Sequence, residues 1–193
     1  MNPPDDLISV LTEDHRELRQ LFTELEFLSG GESLRRTLTD QLVVEMVRHA
    51  VAEESYFYPV ARKCLPDGAL TTDEAYADHQ HLEKILRRLE ESDLSDDQFS
   101  LLLSRLIDDA RRHIDDEERR IFPLLTEYVG EERLVLLGRR AKNAKAKAPT
   151  RSMPGSSSLP LLHMLLETGT GLVERVRGQL CGQGKAYPDA PVR

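Results

Sequence analysis

Four of the six histidines in this 193-residue chain stand in settings that could hold a metal ion. His15 follows Asp14 and His79 follows Asp78, while His49 and His113 each precede a glutamate, Glu53 and Glu117, by four residues. On a helix, that spacing stacks imidazole and carboxylate one turn apart on one face, so both reach the same cation. Imidazole and carboxylate without thiolate suit iron, manganese or zinc better than copper(I) or calcium. The two cysteines, Cys64 and Cys181, form no CxxC and are too few for a thiolate site or a disulfide framework, so they read as reduced structural thiols.

These residues belong to an internal repeat with an offset of 64 residues. Asp14-His15 matches Asp78-His79, Arg48-His49 matches Arg112-His113, Glu53-Glu54 matches Glu117-Glu118, and Pro59 matches Pro123. Leu18, Leu25 and Leu42 likewise match Leu82, Leu89 and Leu106, without an insertion. A duplicated helical hairpin packed about a pseudo-twofold axis brings equivalent residues face to face.

The elements that must position them are helices. Periodicity predicts four, over about Asp5 to Ser29, Glu32 to Lys63, Thr72 to Glu91 and Ser95 to Tyr128, separated by Ser29-Gly30-Gly31, Pro66-Asp67-Gly68 and Asp93-Leu94-Ser95. Short connections make neighbours antiparallel, so the expected fold is all-α, an up-down-up-down four-helix bundle. The expected inward seam of the second helix is Leu42, Met46, His49, Glu53, Tyr56, Val60, and that of the fourth is Leu106, Ala110, His113, Glu117, Arg120, Leu124. On the first and third helices His15 and His79 stand among leucines. Pro59 and Pro123 each remove a backbone hydrogen bond and predict kinks. His81 and His163 lack ligand spacing and read as surface or packing residues.

One inward histidine is ordinary. Four at matched depth beside two carboxylates require a compensating charge, because an unpaired buried carboxylate costs several kcal/mol or becomes neutral. Two carboxylates from opposite helices can each bridge two ions, which favours a binuclear site. The ferritin-like bundles use Glu-x-x-His, and no histidine here has a glutamate three residues before it.

The order H, HxxxE, H, HxxxE, carried by Asp14-His15, His49-Ala-Val-Ala-Glu53-Glu54, Asp78-His79 and His113-Ile-Asp-Asp-Glu117-Glu118, resembles the hemerythrin-like HHE cation-binding family over about residues 5 to 128. The resemblance implies two irons joined by an oxo or hydroxo bridge. His15 and His49 would serve one and His79 and His113 the other, with Glu53 and Glu117 bridging. Where oxygen-carrying members have a further histidine, this chain has Glu83. Their second bridging carboxylate falls at the place of Glu118, which stays an alternative to Glu117. Tyr56, one turn beyond Glu53, is either a packing or supporting residue or a phenolate ligand. Anionic oxygen donors favour ferric iron, so reaction with O2, peroxide or nitric oxide, in redox or nitrosative stress, is expected over reversible carriage or storage. An iron-state or oxygen sensor is the alternative, and a structural bundle with zinc is a third reading.

The net charge of −8 hides an asymmetry: residues 1–138 carry −15 and residues 139–193 carry +7. The acidic bundle disfavours nucleic acid. A further short helix is expected from Glu131 to about Lys147, closing a domain over 1–148. Beyond it, 149–193 reads as a Pro/Ser linker, an amphipathic helix over Leu159 to Leu180 and a tail. The basic run Arg139, Arg140, Lys142, Lys145, Lys147 and Arg151 either binds a partner or folds back on the acidic bundle. With no apolar run near eighteen residues and an acidic start, the chain is expected to be cytoplasmic, unattached to membrane, and a monomer or weak dimer.

Overall fold

The fold is described from a computed structural model, over residues 5–28, 31–89 and 94–147. The segment Leu159 to Leu180, the Pro/Ser linker, His163 and Cys181 lie outside these residues.

Helix α1 (Leu7–Glu26) starts where the Asp6 carboxylate accepts the backbone N–H of Ser9 at 2.7 Å. Its buried stripe is Leu7, Leu11, His15, Leu18, Phe22 and Leu25. A second rod comprises α2 (Glu32–Ala52), a π-helical turn at Glu53–Phe57, and α3 (Tyr58–Cys64). The third rod, α4 (Gly68–Leu89), begins four residues before the expected Thr72. Gly68 permits this: a Cβ there would lie 2.3 Å from the Ala61 carbonyl oxygen, so only glycine fits where α4 leaves α3. The fourth rod is α5 (Asp96–Asp116), a second π turn at Glu117–Ile121, and α6 (Phe122–Tyr128). A capping box between Ser95 and Gln98 starts it.

The two π turns correct the expected seams. The N–H groups of Tyr58 and Phe122 reach back five residues, to the carbonyls of Glu53 and Glu117. Proline follows at 59 and 123, where its ring would crowd a carbonyl of an α-helical turn. The wider turn accommodates it, so the expected kinks take this form. Each turn adds one residue and rotates everything after it by about 100°. Phe57, Ala61, Ile121 and Leu125 are therefore buried, whereas Arg120 is exposed and Leu124 is 37% exposed. Tyr56 is half-buried against the core instead of on the ligand face.

Helix α7 (Glu131–Lys147) packs on α1 and α2. Its buried face runs on past Arg139, where Ala141 and Ala144 continue the stripe of Leu134 and Leu137. At Gly138 a Cβ would lie 2.2 Å from the Asp5 carbonyl oxygen, so this glycine lets α7 close on the start of α1. Among the described residues, no helix is long and apolar enough to cross a membrane.

The core falls into two clusters. One, around Leu18, Phe22, Leu42, Leu86 and Leu106, fills one end of the bundle. The other, around Leu11, Phe57, Tyr58, Ile121 and Leu125, fills the end that α7 covers. A polar layer lies between them.

Candidate metal centre

That layer holds all six expected residues. His15 comes from α1, His49 from the last turn of α2, His79 from α4 and His113 from the last turn of α5; Glu53 and Glu117 open the two π turns. All six are buried, with Glu53 and His15 fully so.

The Nε2 atoms point to the centre in two pairs, His15 and His49 at 3.1 Å and His79 and His113 at 3.1 Å. Glu53 lies between the pairs, with Oε1 3.0 Å from His49 Nε2 and Oε2 3.3 Å from His79 Nε2. Glu117 reaches both pairs as well, with Oε2 3.4 Å from His15 Nε2 and Oε1 3.6 Å from His113 Nε2. Two groups form whose donor atoms are mutually close: His15, His49, Glu53 and Glu117, and Glu53, His79 and His113. Glu53 belongs to both.

The outer nitrogens face four further carboxylates. His15 Nδ1 is 2.9 Å from Glu118 and His79 Nδ1 is 2.9 Å from Glu54. His49 Nδ1 is 3.5 Å from Asp14, and His113 Nδ1 is 3.5 Å from Asp78. This arrangement favours the proton on Nδ1 and leaves a lone pair on each Nε2. Lone pairs facing at 3.1 Å repel, and so do two N–H groups. A cation between them relieves both, since two nitrogens each about 2.1 Å from one metal lie about 3 Å apart. Both Glu53 oxygens and Glu117 Oε2 are buried and accept no hydrogen bond. Orphaned carboxylate oxygens beside lone-pair nitrogens fit a metal.

Without a cation, protons on the imidazoles must balance the carboxylates. Burial pulls the His113 pKa down, but Glu117, Asp78 and Glu53 outweigh it and raise it to about 10. Burial likewise opposes protonation at His15 and His79, yet the glutamates around them raise both, His15 well above the ordinary range. Burial alone would raise Glu53; the charge at His49 and the nearby imidazoles of His113, His15 and His49 hold it well below the usual carboxylate range.

Sequence reasoning missed Tyr58. Its hydroxyl donates to Glu117 Oε1 at 2.9 Å and lies 3.0 Å from His79 Nε2 and 3.4 Å from His113 Nε2. Burial, then the charges of Glu117 and Glu53, push this phenol well above its ordinary pKa. The phenol at the centre is thus Tyr58, and Tyr56 is displaced by the π turn. The repeat partner of Tyr58 is Phe122, which stacks on His15 at 5.5 Å, so the two halves are chemically unlike. Glu118 is 28% exposed and is held by Arg19 at 2.8 Å, behind His15, whereas Glu117 faces the centre. The carboxylate of Glu83 turns to Arg87, at 2.5 Å, and is in neither group. Glu83 instead joins His49, His79 and His113 in lining a mostly apolar cavity of about 40 Å³ with Leu18, Met46 and Leu82. His81 lies at the surface on Asp109, at 2.8 Å.

The hemerythrin HHE cation-binding domain model matches residues 6–125, which span all four rods. The chain belongs to the hemerythrin family. A hemerythrin-like protein of Schizosaccharomyces pombe is 24% identical over 168 residues, covering 86% of this chain and 82% of its own. A protein of Nostoc named DNA nickase is 25% identical over 142 residues, 74% of this chain, and the match spans only 40% of that longer protein. The crystal structure of a hemerythrin HHE cation-binding domain-containing protein from Mycobacterium kansasii has the same fold, with a TM-score of 0.67 at 20% identity, over 88% of this chain and 98% of that one. A hemerythrin domain implies cation binding, and the His/Glu groups described above could hold the cation.

Proposed function

We propose that this hemerythrin-family protein holds two irons on His15, His49, His79, His113, Glu53 and Glu117, and reacts with O2, peroxide or nitric oxide. The observation that carries the reading is the convergence of four Nε2 atoms on two carboxylates, three of whose four oxygens are buried without a hydrogen-bond donor while Glu117 Oε1 takes the Tyr58 hydroxyl. Such a pair supplies redox chemistry at positions that side chains leave open.

The chain's own residues shape what reaches it. Glu54, Glu118, Asp14 and Asp78 orient the imidazoles through Nδ1. The cavity beside His49, His79 and His113 is small and mostly apolar, which suits an uncharged diatomic or peroxide. Tyr58 places a phenol proton within reach of the same centre, either as a donor to Glu117 or, deprotonated, as an oxygen ligand. Its oxygen at the centre, where Glu83 stands in place of a further imidazole and turns away to Arg87, favours ferric iron and opposes reversible carriage.

An iron count with an absorption spectrum of protein purified in air tests the proposal. Two irons per chain with near-ultraviolet charge-transfer absorption are expected, and zinc alone from iron-replete cells refutes it. A sensor reading draws support from α7, which ties a charged helix to the helix of His15. A turnover assay with peroxide or nitric oxide separates the two, because a sensor has no sustained turnover.

A further inference from the structure

Helix α7 packs chiefly on α1, α2 and the Glu53–Phe57 turn, the elements that carry His15, His49 and Glu53. Lys145 Nζ donates to Asp14 Oδ1, and the other oxygen of Asp14 faces His49 Nδ1 at 3.5 Å. Asp14 is buried, at 6% exposure, and Lys145 is itself mostly covered. The helix is set in register for this contact by the close approach of Gly138 to Asp5 and Asp6 and by buried Ala141 and Ala144, whereas the ion pair from Lys142 to Asp5 is exposed on both sides. In the other half the repeat partner Asp78 faces His113 Nδ1 at the same 3.5 Å, but its side chain is 59% exposed.

A carboxylate behind a metal-binding imidazole fixes the ring's tautomer and angle, and it can do so only while its own rotamer is fixed. At Asp78, water can solvate the free oxygen. At Asp14 that oxygen is out of water and needs a cation, and Lys145 is the one that reaches it. We propose that Lys145 is a positioning residue for His49, acting through Asp14, and that α7 thereby sets how tightly one ion of the pair is held while leaving the other alone. This inference rests on the binuclear reading above.

Anaerobic protein loaded with two ferrous ions is challenged with a chromogenic chelator, and the release of each ion is timed in wild type, Lys145→Met, Lys145→Arg and Lys142→Met. Lys145→Met is expected to release one ion at least about tenfold faster, the usual scale for losing support behind a ligand, and the other at its wild-type rate. Lys145→Arg restores retention. Lys142→Met removes the same charge from the same helix and leaves both rates unchanged. Wild-type kinetics in Lys145→Met overturn the inference, as does equal acceleration of both ions, which marks a helix merely loosened. Equal effects of Lys142→Met and Lys145→Met overturn it too, since charge alone then suffices. Fewer than two irons on the wild-type chain overturns the binuclear reading itself, and the inference falls with it.

Discussion

At the scale of single residues the polar layer is a balance of charge in a space without water. His49 and His113 occupy equivalent places, one turn before the glutamates that open the π turns. Replacing either by alanine is expected to remove most of the bound iron and to lower stability by about 3 kcal/mol, because a buried carboxylate loses its compensation. Metal analysis and thermal unfolding measure both effects, and full iron content in either variant would show that the imidazole is not a ligand. Tyr58→Phe is expected to keep iron but to abolish any visible phenolate band, whereas Tyr56→Phe leaves the spectrum unchanged. A band that survives in Tyr58→Phe and disappears in Tyr56→Phe reverses that assignment. All six inward His and Glu residues were legible because all four rods are regular helix up to these residues, so spacing alone fixes direction. Tyr58 was not legible from spacing, since it lies just after the extra residue. The sequence does contain a signal for it: Arg120 and Leu124 fall on the expected seam, whereas one step later it reads Ile121 and Leu125.

At the scale of the elements, the four rods and their order follow from amphipathic periodicity and short turns, and the repeat made their pairing legible. Boundaries were less so. The start of α4 depends on a backbone approach at Gly68 that no periodicity reveals, whereas the bounds of α7, Glu131–Lys147, follow the expected ones. The approach at Gly138 gives a direct test. Gly138→Ala forces a methyl group against the Asp5 backbone and is expected to cost about 1–3 kcal/mol, read as a lower denaturant midpoint. If α7 is undocked by it, the Asp14 side chain also becomes accessible. An alanine variant as stable as wild type would mean that α7 does not close on α1 in solution.

At the scale of the whole molecule, acidic and basic groups set a pH window for the protein stripped of metal. The His113 pKa is raised from 6.5 to about 10 in the fold, against the effect of burial, by Glu117, Asp78 and Glu53. Its contribution is therefore complete below pH 6.5 and lost as pH rises through about 10. Glu118 runs the other way: hydrogen bonds from His15 and Arg19 lower it from 4.5 to about 2, so its contribution is present above pH 4.5 and lost as pH falls towards 2. Metal-free protein is expected to be most stable between these limits, and its melting temperature to decline from neutral pH towards 10. Metal-loaded protein declines less there, because the cations replace the protons. Parallel pH profiles for the two forms would disprove the exchange. The paired π turns also record a history. A single extra residue at the same place in both hairpins needs one insertion if the hairpin acquired it before it was copied, and two coincident insertions otherwise. The simpler account puts the wide turn before the copying, when two identical hairpins would have closed around a symmetric centre. Phe122 opposite Tyr58, Glu83 opposite Arg19 and a fifth helix over one side are the later marks by which the twin halves diverged.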